Sequence, residues 1–199
     1  MNVEVDFTTL LDTRDMLNKD RKDLPLSVND FIILAAALCM KRVAAANAAW
    51  GDAGSIRQYH YCDVNVNAID ANGKVKAPVI RGLQGLGLKE IAAQTSSISR
   101  STQSQKSDLD EAPGTFSIIN VGAYGVKSIA PIVRPGQSVA LGVGALRQVV
   151  VPQSQGGAKI STIATVTLSC DHRVVDGAIG ATWLQNFESL IKNPMTMLL

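Results

Sequence analysis

The chain has 199 residues, of which 46% are hydrophobic and 18% charged, and its formal net charge is +2. This length and apolar content allow one domain with a sizeable core, and so small a charge gives no reason to expect binding to nucleic acid or to an anionic membrane. The longest apolar run, residues 31–40, is too short to span a membrane, and the first residues lack the basic and apolar regions of a signal peptide.

The first part of the chain predicts a strand followed by two helices. Residues 2–7 alternate between apolar and polar, and apolar residues at helical spacing then predict a helix that ends near Lys22. Ser27 and Asp30 form a capping-box pattern with Asp in place of the usual Glu, so we expect a second helix to begin there. Its many alanines allow close packing on nearly every side, which predicts deep burial.

The middle of the chain predicts a hairpin and a third helix. Residues 61–69 alternate like a strand, and Asn72-Gly73, a strong tight-turn signal, leads to a second strand that ends near Ile80. Residues 86–99 predict a helix. The Ser- and Gln-rich segment 95–106 has little to bury, so helix and loop remain open there.

The last part of the chain predicts strands and one long helix. Residues 115–121 predict a strand, and a loop marked by Gly and Pro follows it. Residues 138–146 and 160–170 are apolar strands of the kind found inside a sheet, and residues 177–192 predict the final helix. Without a visible repeat or linker, one α+β domain over residues 1–199 is the simplest interpretation.

The three cysteines, Cys39, Cys62 and Cys170, are odd in number and lack CxxC spacing. Each lies in an apolar or strand-like stretch, which is typical of reduced, buried thiols in an intracellular compartment. We therefore expect neither a disulfide scaffold nor a metal site.

The two histidines, His60 and His172, differ in their surroundings. His60 lies between two tyrosines at a predicted strand start, which favours a structural role. His172 follows an apolar strand and precedes a helix, a common place for cleft residues, and imidazole titrates near neutral pH. Asp176 could simply cap that helix. From spacing alone, a catalytic and a structural role for His172 both remain open.

The segment Asp171-His172-Arg173-Val174-Val175-Asp176-Gly177 resembles the DHRxxDG signature of the dihydrolipoamide acyltransferases, which form the cores of 2-oxoacid dehydrogenase complexes. Further stretches resemble this family in the same order, so that the likeness covers nearly the whole chain: residues 27–32, 47–50, 55–59, 114–118, 133–137, 143–144 and 194–199. The most similar branch is the acetyltransferase of the pyruvate dehydrogenase complex.

The resemblance implies a fold, a mechanism and a cellular setting. The fold would be the chloramphenicol-acetyltransferase-like α+β sandwich, a mixed sheet of about six strands flanked by helices, in trimers whose active sites lie between neighbouring subunits. His172 would be the general base that takes a proton from the thiol of coenzyme A or dihydrolipoamide, with Asp176 as the supporting carboxylate. Coenzyme A and the lipoyl group would be substrates, and no metal is implied.

The same resemblance implies partners. The chain would form a homotrimer within a larger core, together with other acyltransferase core subunits, and would meet lipoyl domains. Lipoyl and peripheral-subunit-binding domains, if any, would lie upstream of Met1, and dihydrolipoamide dehydrogenase could be recruited through them. The setting would be the mitochondrial matrix, or the cytoplasm of a bacterium, with neither nucleic acid nor membrane as a partner.

One of the departures from the family pattern concerns the oxyanion position. Where the family has a serine that donates to the oxyanion, this chain has Ile119, which cannot donate a hydrogen bond. Ser117 lies two residues earlier on the same strand face, about 6.5 Å away, and does not easily replace it. A second interpretation therefore stays open: a structural trimer similar to protein X, the dihydrolipoamide-dehydrogenase-binding protein, with weak or no transferase activity.

Overall fold

A computed structural model describes residues 1–21, 23–69, 72–103, 112–153 and 156–198. In these parts of the chain, eleven strands and four α-helices are present. The strands are β1 (Asn2–Asp6), β2 (Ala48–Trp50), β3 (Ile56–Gln58), β4 (Val64–Val66), β5 (Ala68–Ile69), β6 (Val75–Lys76), β7 (Val79–Ile80), β8 (Phe116–Asn120), β9 (Val139–Val143), β10 (Arg147–Pro152) and β11 (Ala158–Cys170). The helices are α1 (Thr8–Asn18), α2 (Val28–Arg42), α3 (Leu88–Gln103) and α4 (Gly177–Lys192).

Seven of these strands form one mixed sheet in the order β1-β11-β9-β8-β4-β7, with β10 paired to the first half of β11. Strand β8 runs parallel to both β9 and β4, and the remaining pairs are antiparallel. Two small antiparallel pairs, β2–β3 and β5–β6, lie outside this sheet. The predicted mixed sheet flanked by helices is confirmed, with seven strands instead of about six.

The core lies between one face of the sheet and the helices. Helix α2 packs against α3 and α4, and α4 also contacts β1 and β11. The largest fully buried side chains include Trp183, Phe7, Phe31, Phe116 and Phe187. Trp183 and Phe187 stack with their ring centroids 5.5 Å apart. The expected deep burial of α2 is confirmed, since ten of its residues are buried.

The capping box at the start of α2 is confirmed in both directions. The Ser27 hydroxyl accepts a hydrogen bond from the backbone N–H of Asp30, and the Asp30 carboxylate accepts one from the backbone N–H of Ser27. Asp30 also accepts a bond of 2.5 Å from the Thr95 hydroxyl, which joins α2 to α3. Asp30 therefore completes the capping box in place of the usual Glu, and it also links α2 to α3 through a hydrogen bond.

Replacing Ser27 with alanine is expected to lower the free energy of unfolding by about 1 kcal/mol, because α2 loses an N-cap acceptor. Urea unfolding monitored by circular dichroism would measure the change. Ser27→Thr is the matched control, since it keeps a hydroxyl acceptor and should lose only a small part of that energy. Equal midpoints for Ser27→Ala and the unmodified chain would contradict this role of the hydroxyl.

Several predicted boundaries differ from the structure. Helix α1 ends at Asn18, where the side-chain amide exchanges two hydrogen bonds with the backbone of Leu26; Lys22, where we expected the end, lies outside the described residues. The predicted strand 61–69 is divided into β4 and β5, because β4 joins the main sheet and β5 pairs with β6. Helix α3 continues through Gln103, so the first part of segment 95–106 is helical.

The three cysteines are free. The prediction of burial is confirmed for Cys39 and Cys62, whereas Cys170 is half-buried. Desolvation raises the pKa of Cys39 and of Cys62 to about 12, and it also raises the pKa of Cys170.

A thiol with a pKa about four units above the solution pH is almost entirely protonated and reacts slowly with disulfide reagents. At pH 8, we therefore expect Cys39 and Cys62 of the folded chain to resist the Ellman reagent, and all three thiols to react after unfolding in guanidinium. Cys170→Ser should remove the only accessible thiol. Rapid reaction of two or more thiols in the folded chain would be the contrary result.

Candidate active site

The turn that carries the predicted signature joins β11 to α4. Its first residue, Asp171, is anchored through its main chain. The N–H of Asp171 donates to the carbonyl of Ser138, and its carbonyl accepts from the N–H groups of Val174 and Val175. Val175 is fully buried and anchors the far side of the turn in the core. The turn is therefore fixed at both ends.

His172 lies at the exposed part of this turn. Within the residues that the structure describes, its imidazole makes no hydrogen bond, ion pair or ring contact. An imidazole without an internal partner can exchange a proton with a molecule that approaches from outside, as general base catalysis requires. The arrangement is therefore compatible with the role that the signature predicts.

Asp176 is the N-cap of α4, and its carboxylate accepts a hydrogen bond of 2.8 Å from the backbone N–H of Ile179. This is the structural role that the sequence already indicated. The structure has no hydrogen bond between Asp176 and His172 in the described part of the chain. Asp176 nevertheless fixes the start of the helix that follows the histidine turn.

Sequence reasoning missed the ion pair that flanks the histidine. The Arg173 guanidinium donates to both oxygens of the Asp171 carboxylate, with N–O distances of 2.6 Å to Oδ2 and 2.9 Å to Oδ1. This hydrogen bonding, more than any other contact, holds the pKa of Asp171 below its ordinary value. The guanidinium carbon of Arg173 also lies 5.2 Å from the ring centroid of Trp50. The only sign of this ion pair in the sequence is that two residues of opposite charge, Asp171 and Arg173, flank His172.

A cleft of about 460 Å³ opens beside the turn. It is lined by Trp50, Asp171 and Arg173 and by the loop of residues 133–137, which includes a second arginine, Arg134. Asp171 and Arg173 of the signature thus border an open cavity, and His172, between them in sequence, is exposed.

Ile119 lies in β8 on the opposite face of the sheet from the helical core. Its neighbours Phe116 and Ile118 are fully buried in that core, and side chains alternate along a strand. Ser117, on the same face as Ile119, is buried and donates a hydrogen bond of 2.7 Å to the Gln137 side chain. The hydroxyl proton of Ser117 is therefore engaged in the hydrogen bond to Gln137 and is not available to an oxyanion.

The structure does not bring Ile119 and His172 of one chain together. Ile119 pairs with Gly142 in β9, and Gly142 pairs with Thr167 in β11. Two strand spacings of roughly 5 Å each therefore separate Ile119 from β11. His172 lies five residues beyond Thr167, and the stretch from Thr167 to Cys170 alone adds roughly 10 Å. The two side chains are too far apart to act on the same small group.

Among the described residues, no cluster of three or more His, Cys, Asp or Glu side chains could hold a metal ion. In the same part of the chain, each helix is too short or too polar to cross a lipid bilayer.

The sequence model of the family "2-oxoacid dehydrogenases acyltransferase (catalytic domain)" matches residues 1–199. Among curated proteins, the acetyltransferase component of the pyruvate dehydrogenase complex of Rickettsia bellii is 39% identical over 204 residues; the match covers 100% of this chain and 48% of the relative. The mitochondrial acetyltransferase component of Dictyostelium discoideum is 36% identical, with 100% of this chain and 31% of the relative covered. The chain thus spans half or less of the length of these relatives.

Solved structures establish the fold. The Azotobacter vinelandii dihydrolipoamide acetyltransferase superposes with a TM-score of 0.91 at 22% identity, covering 100% of this chain and 83% of that one. The cubic core of the pyruvate dehydrogenase multienzyme complex gives 0.91 at 23% identity, with the same coverage. Chloramphenicol acetyltransferase gives 0.65 at 11% identity, covering 96% of this chain and 86% of that one. The predicted chloramphenicol-acetyltransferase-like fold is confirmed.

Proposed function

The chain belongs to the 2-oxoacid dehydrogenase acyltransferase (catalytic domain) family, and we propose that it transfers an acetyl group between dihydrolipoamide and coenzyme A in a pyruvate dehydrogenase complex. The observation that carries this proposal is His172, which has no internal partner at an anchored turn beside an open cleft. The curated relatives named above, which are acetyltransferase components of that complex, support the choice of acetyl group.

In the proposed reaction, His172 is the general base. A thiol with a pKa near 8.5 is only a few per cent ionised at neutral pH, so a base within hydrogen-bond reach accelerates its attack. The imidazole takes the thiol proton as the sulfur attacks the thioester carbonyl, and a tetrahedral oxyanion forms. When the oxyanion collapses, the original carbon–sulfur bond breaks, and the leaving thiolate receives the proton from the imidazolium. Asp176, through its cap of α4, would support the geometry of the turn.

We propose further that each active site is formed by two chains of a homotrimer. The separation of Ile119 and His172 within one chain supports this, because the oxyanion position and the base must then come from different copies. The trimers would form a larger core, and the likeness to a cubic core supports such assembly. Native mass spectrometry should find three chains or a multiple of three, and a monomer under these conditions would remove the proposal.

Residues 1–199 would be the core-forming domain of a longer protein. The greater length of the curated relatives supports this. Lipoyl and peripheral-subunit-binding domains would precede the core domain, and dihydrolipoamide dehydrogenase would be recruited through these upstream domains. Since the relatives include a mitochondrial protein and a bacterial one, we assign the chain to the mitochondrial matrix or its bacterial equivalent, the cytoplasm.

Ile119 supports a second candidate function, that of a structural trimer similar to protein X with weak or no activity. Loss of one oxyanion donor typically costs about 10²–10³ in rate, and Ser117 is already bonded to Gln137. The test is a transfer assay with acetyl-coenzyme A and free dihydrolipoamide, in which the acetyl thioester product is followed. A rate within about tenfold of an ordinary family member would exclude the structural function, and no rate above the uncatalysed reaction would exclude the enzymatic one.

A further inference from the structure

The orientation of His172 must be set by its neighbours, because its own imidazole has no partner in the described part of the chain. The carboxylate of Asp171 accepts a hydrogen bond of 3.1 Å from the backbone N–H of Arg173. It also accepts the hydrogen bonds from the Arg173 guanidinium. A carboxylate bonded to the N–H two residues later closes a tight turn. The residue enclosed by this turn is His172, so the Asp171–Arg173 pair fixes its backbone directly.

Such a pair would be weak if it stood alone. The side chain of Arg173 is 60% exposed, and exposed ion pairs contribute little because water competes for both partners and the side chains lose freedom. Here the ring of Trp50 lies 5.2 Å from the guanidinium carbon of Arg173. A tryptophan face attracts a cation and restricts the orientations that the planar guanidinium can adopt.

Trp50 itself is held close to the turn. It is half-buried at the end of β2, just after Ala46, whose carbonyl accepts a hydrogen bond of 2.7 Å from the Ser138 hydroxyl. The carbonyl of the same Ser138 accepts from the N–H of Asp171. One fully buried serine therefore connects the segment that carries Trp50 to the turn that carries His172.

We propose that Trp50 and Arg173 are positioning residues for the base. Trp50 orients the Arg173 guanidinium, Arg173 orients the Asp171 carboxylate, and that carboxylate fixes the backbone from which the His172 imidazole extends into the active site. This inference rests on the proposed function, since it takes His172 as the base. Both residues line the cleft, but the proposed role acts through the position of the base, so its effect should appear in kcat.

The first test compares Trp50→Leu with Trp50→Phe in the intact assembly. Trp50→Leu removes the ring face and is expected to lower kcat about tenfold with KM values within about twofold, since small misplacements of a catalytic group have effects of this size or larger. Trp50→Phe keeps a ring face and should retain most of kcat. Arg173→Lys keeps the charge but loses the two-pronged contact, so it should behave like Trp50→Leu. Melting temperature and particle size are measured for each variant to separate misfolding from mispositioning.

The second test does not depend on activity. The chain has only two histidines, so in a His60→Gln background the absorbance change on reaction with diethyl pyrocarbonate reports on His172 alone. We expect Trp50→Leu to change this reaction rate at least threefold and Trp50→Phe to leave it within a factor of 1.5. If the unmodified chain and His172→Ala transfer acetyl groups equally slowly, the proposed function fails. Unchanged kcat and unchanged reactivity in Trp50→Leu would overturn the positioning role.

Discussion

Replacing His172 with alanine is expected to lower kcat for acetyl transfer by about 10²–10⁴, the contribution typical of a general base. The stability of the chain should change little. The imidazole is exposed and makes no hydrogen bond within the described residues, and the turn is held by the main chain of Asp171 and by buried Val175. Initial rates with acetyl-coenzyme A and dihydrolipoamide, together with thermal unfolding, would measure both effects.

The matched control is His60→Ala, which removes the other histidine. His60 is also exposed, and it lines a separate cleft with Tyr59 and Tyr61. This substitution should leave kcat within a factor of two. If His172→Ala kept more than a tenth of the original kcat while His60→Ala lost most of it, the assignment of the base would be wrong.

Long and regular elements could be predicted from the sequence. Helices α2 and α4 and strand β11 extend over thirteen to sixteen residues. The periodic pattern of apolar residues therefore repeats several times within each element and can be recognised. Strands β2 and β3 have three residues each, and so short a stretch shows no reliable alternation. β10 was also missed. Its residues are exposed or half-buried, and pairing with β11, not burial, keeps it extended.

The site could be predicted only in part. The signature identifies His172 and Asp176, and the position of Asp176 as an N-cap also follows from its place before a helix. The contact between Trp50 and Arg173 joins residues more than a hundred positions apart, and no local pattern indicates it. Likewise, the separation of Ile119 from His172 depends on the register of three strands. Such features are set by tertiary pairing, which a single sequence does not display.

Replacing Ile119 with serine is expected to raise kcat by about 10²–10³ if the missing oxyanion donor is what limits this chain. Ile119 is half-buried on the sheet face opposite the core, so a smaller polar side chain should cost roughly 1–2 kcal/mol of stability. Rates are measured under the same assay conditions, and melting temperatures check folding. Ile119→Val is the matched control, since it changes volume without adding a donor and should give no gain.

A mixed assembly would then show where the donor acts. Chains that carry both Ile119→Ser and His172→Ala lack a base and should be inactive alone, and unmodified chains should be slow. Ile119 and His172 of one chain are far apart. If neighbouring chains share the site as proposed, reassembled mixtures would contain sites in which an unmodified His172 meets the new serine of a neighbouring chain. Such mixtures should exceed the activity of both parents. If Ile119→Ser alone raised kcat but mixing gave only the weighted average of the two parents, donor and base would have to come from the same chain, and the shared site would be excluded.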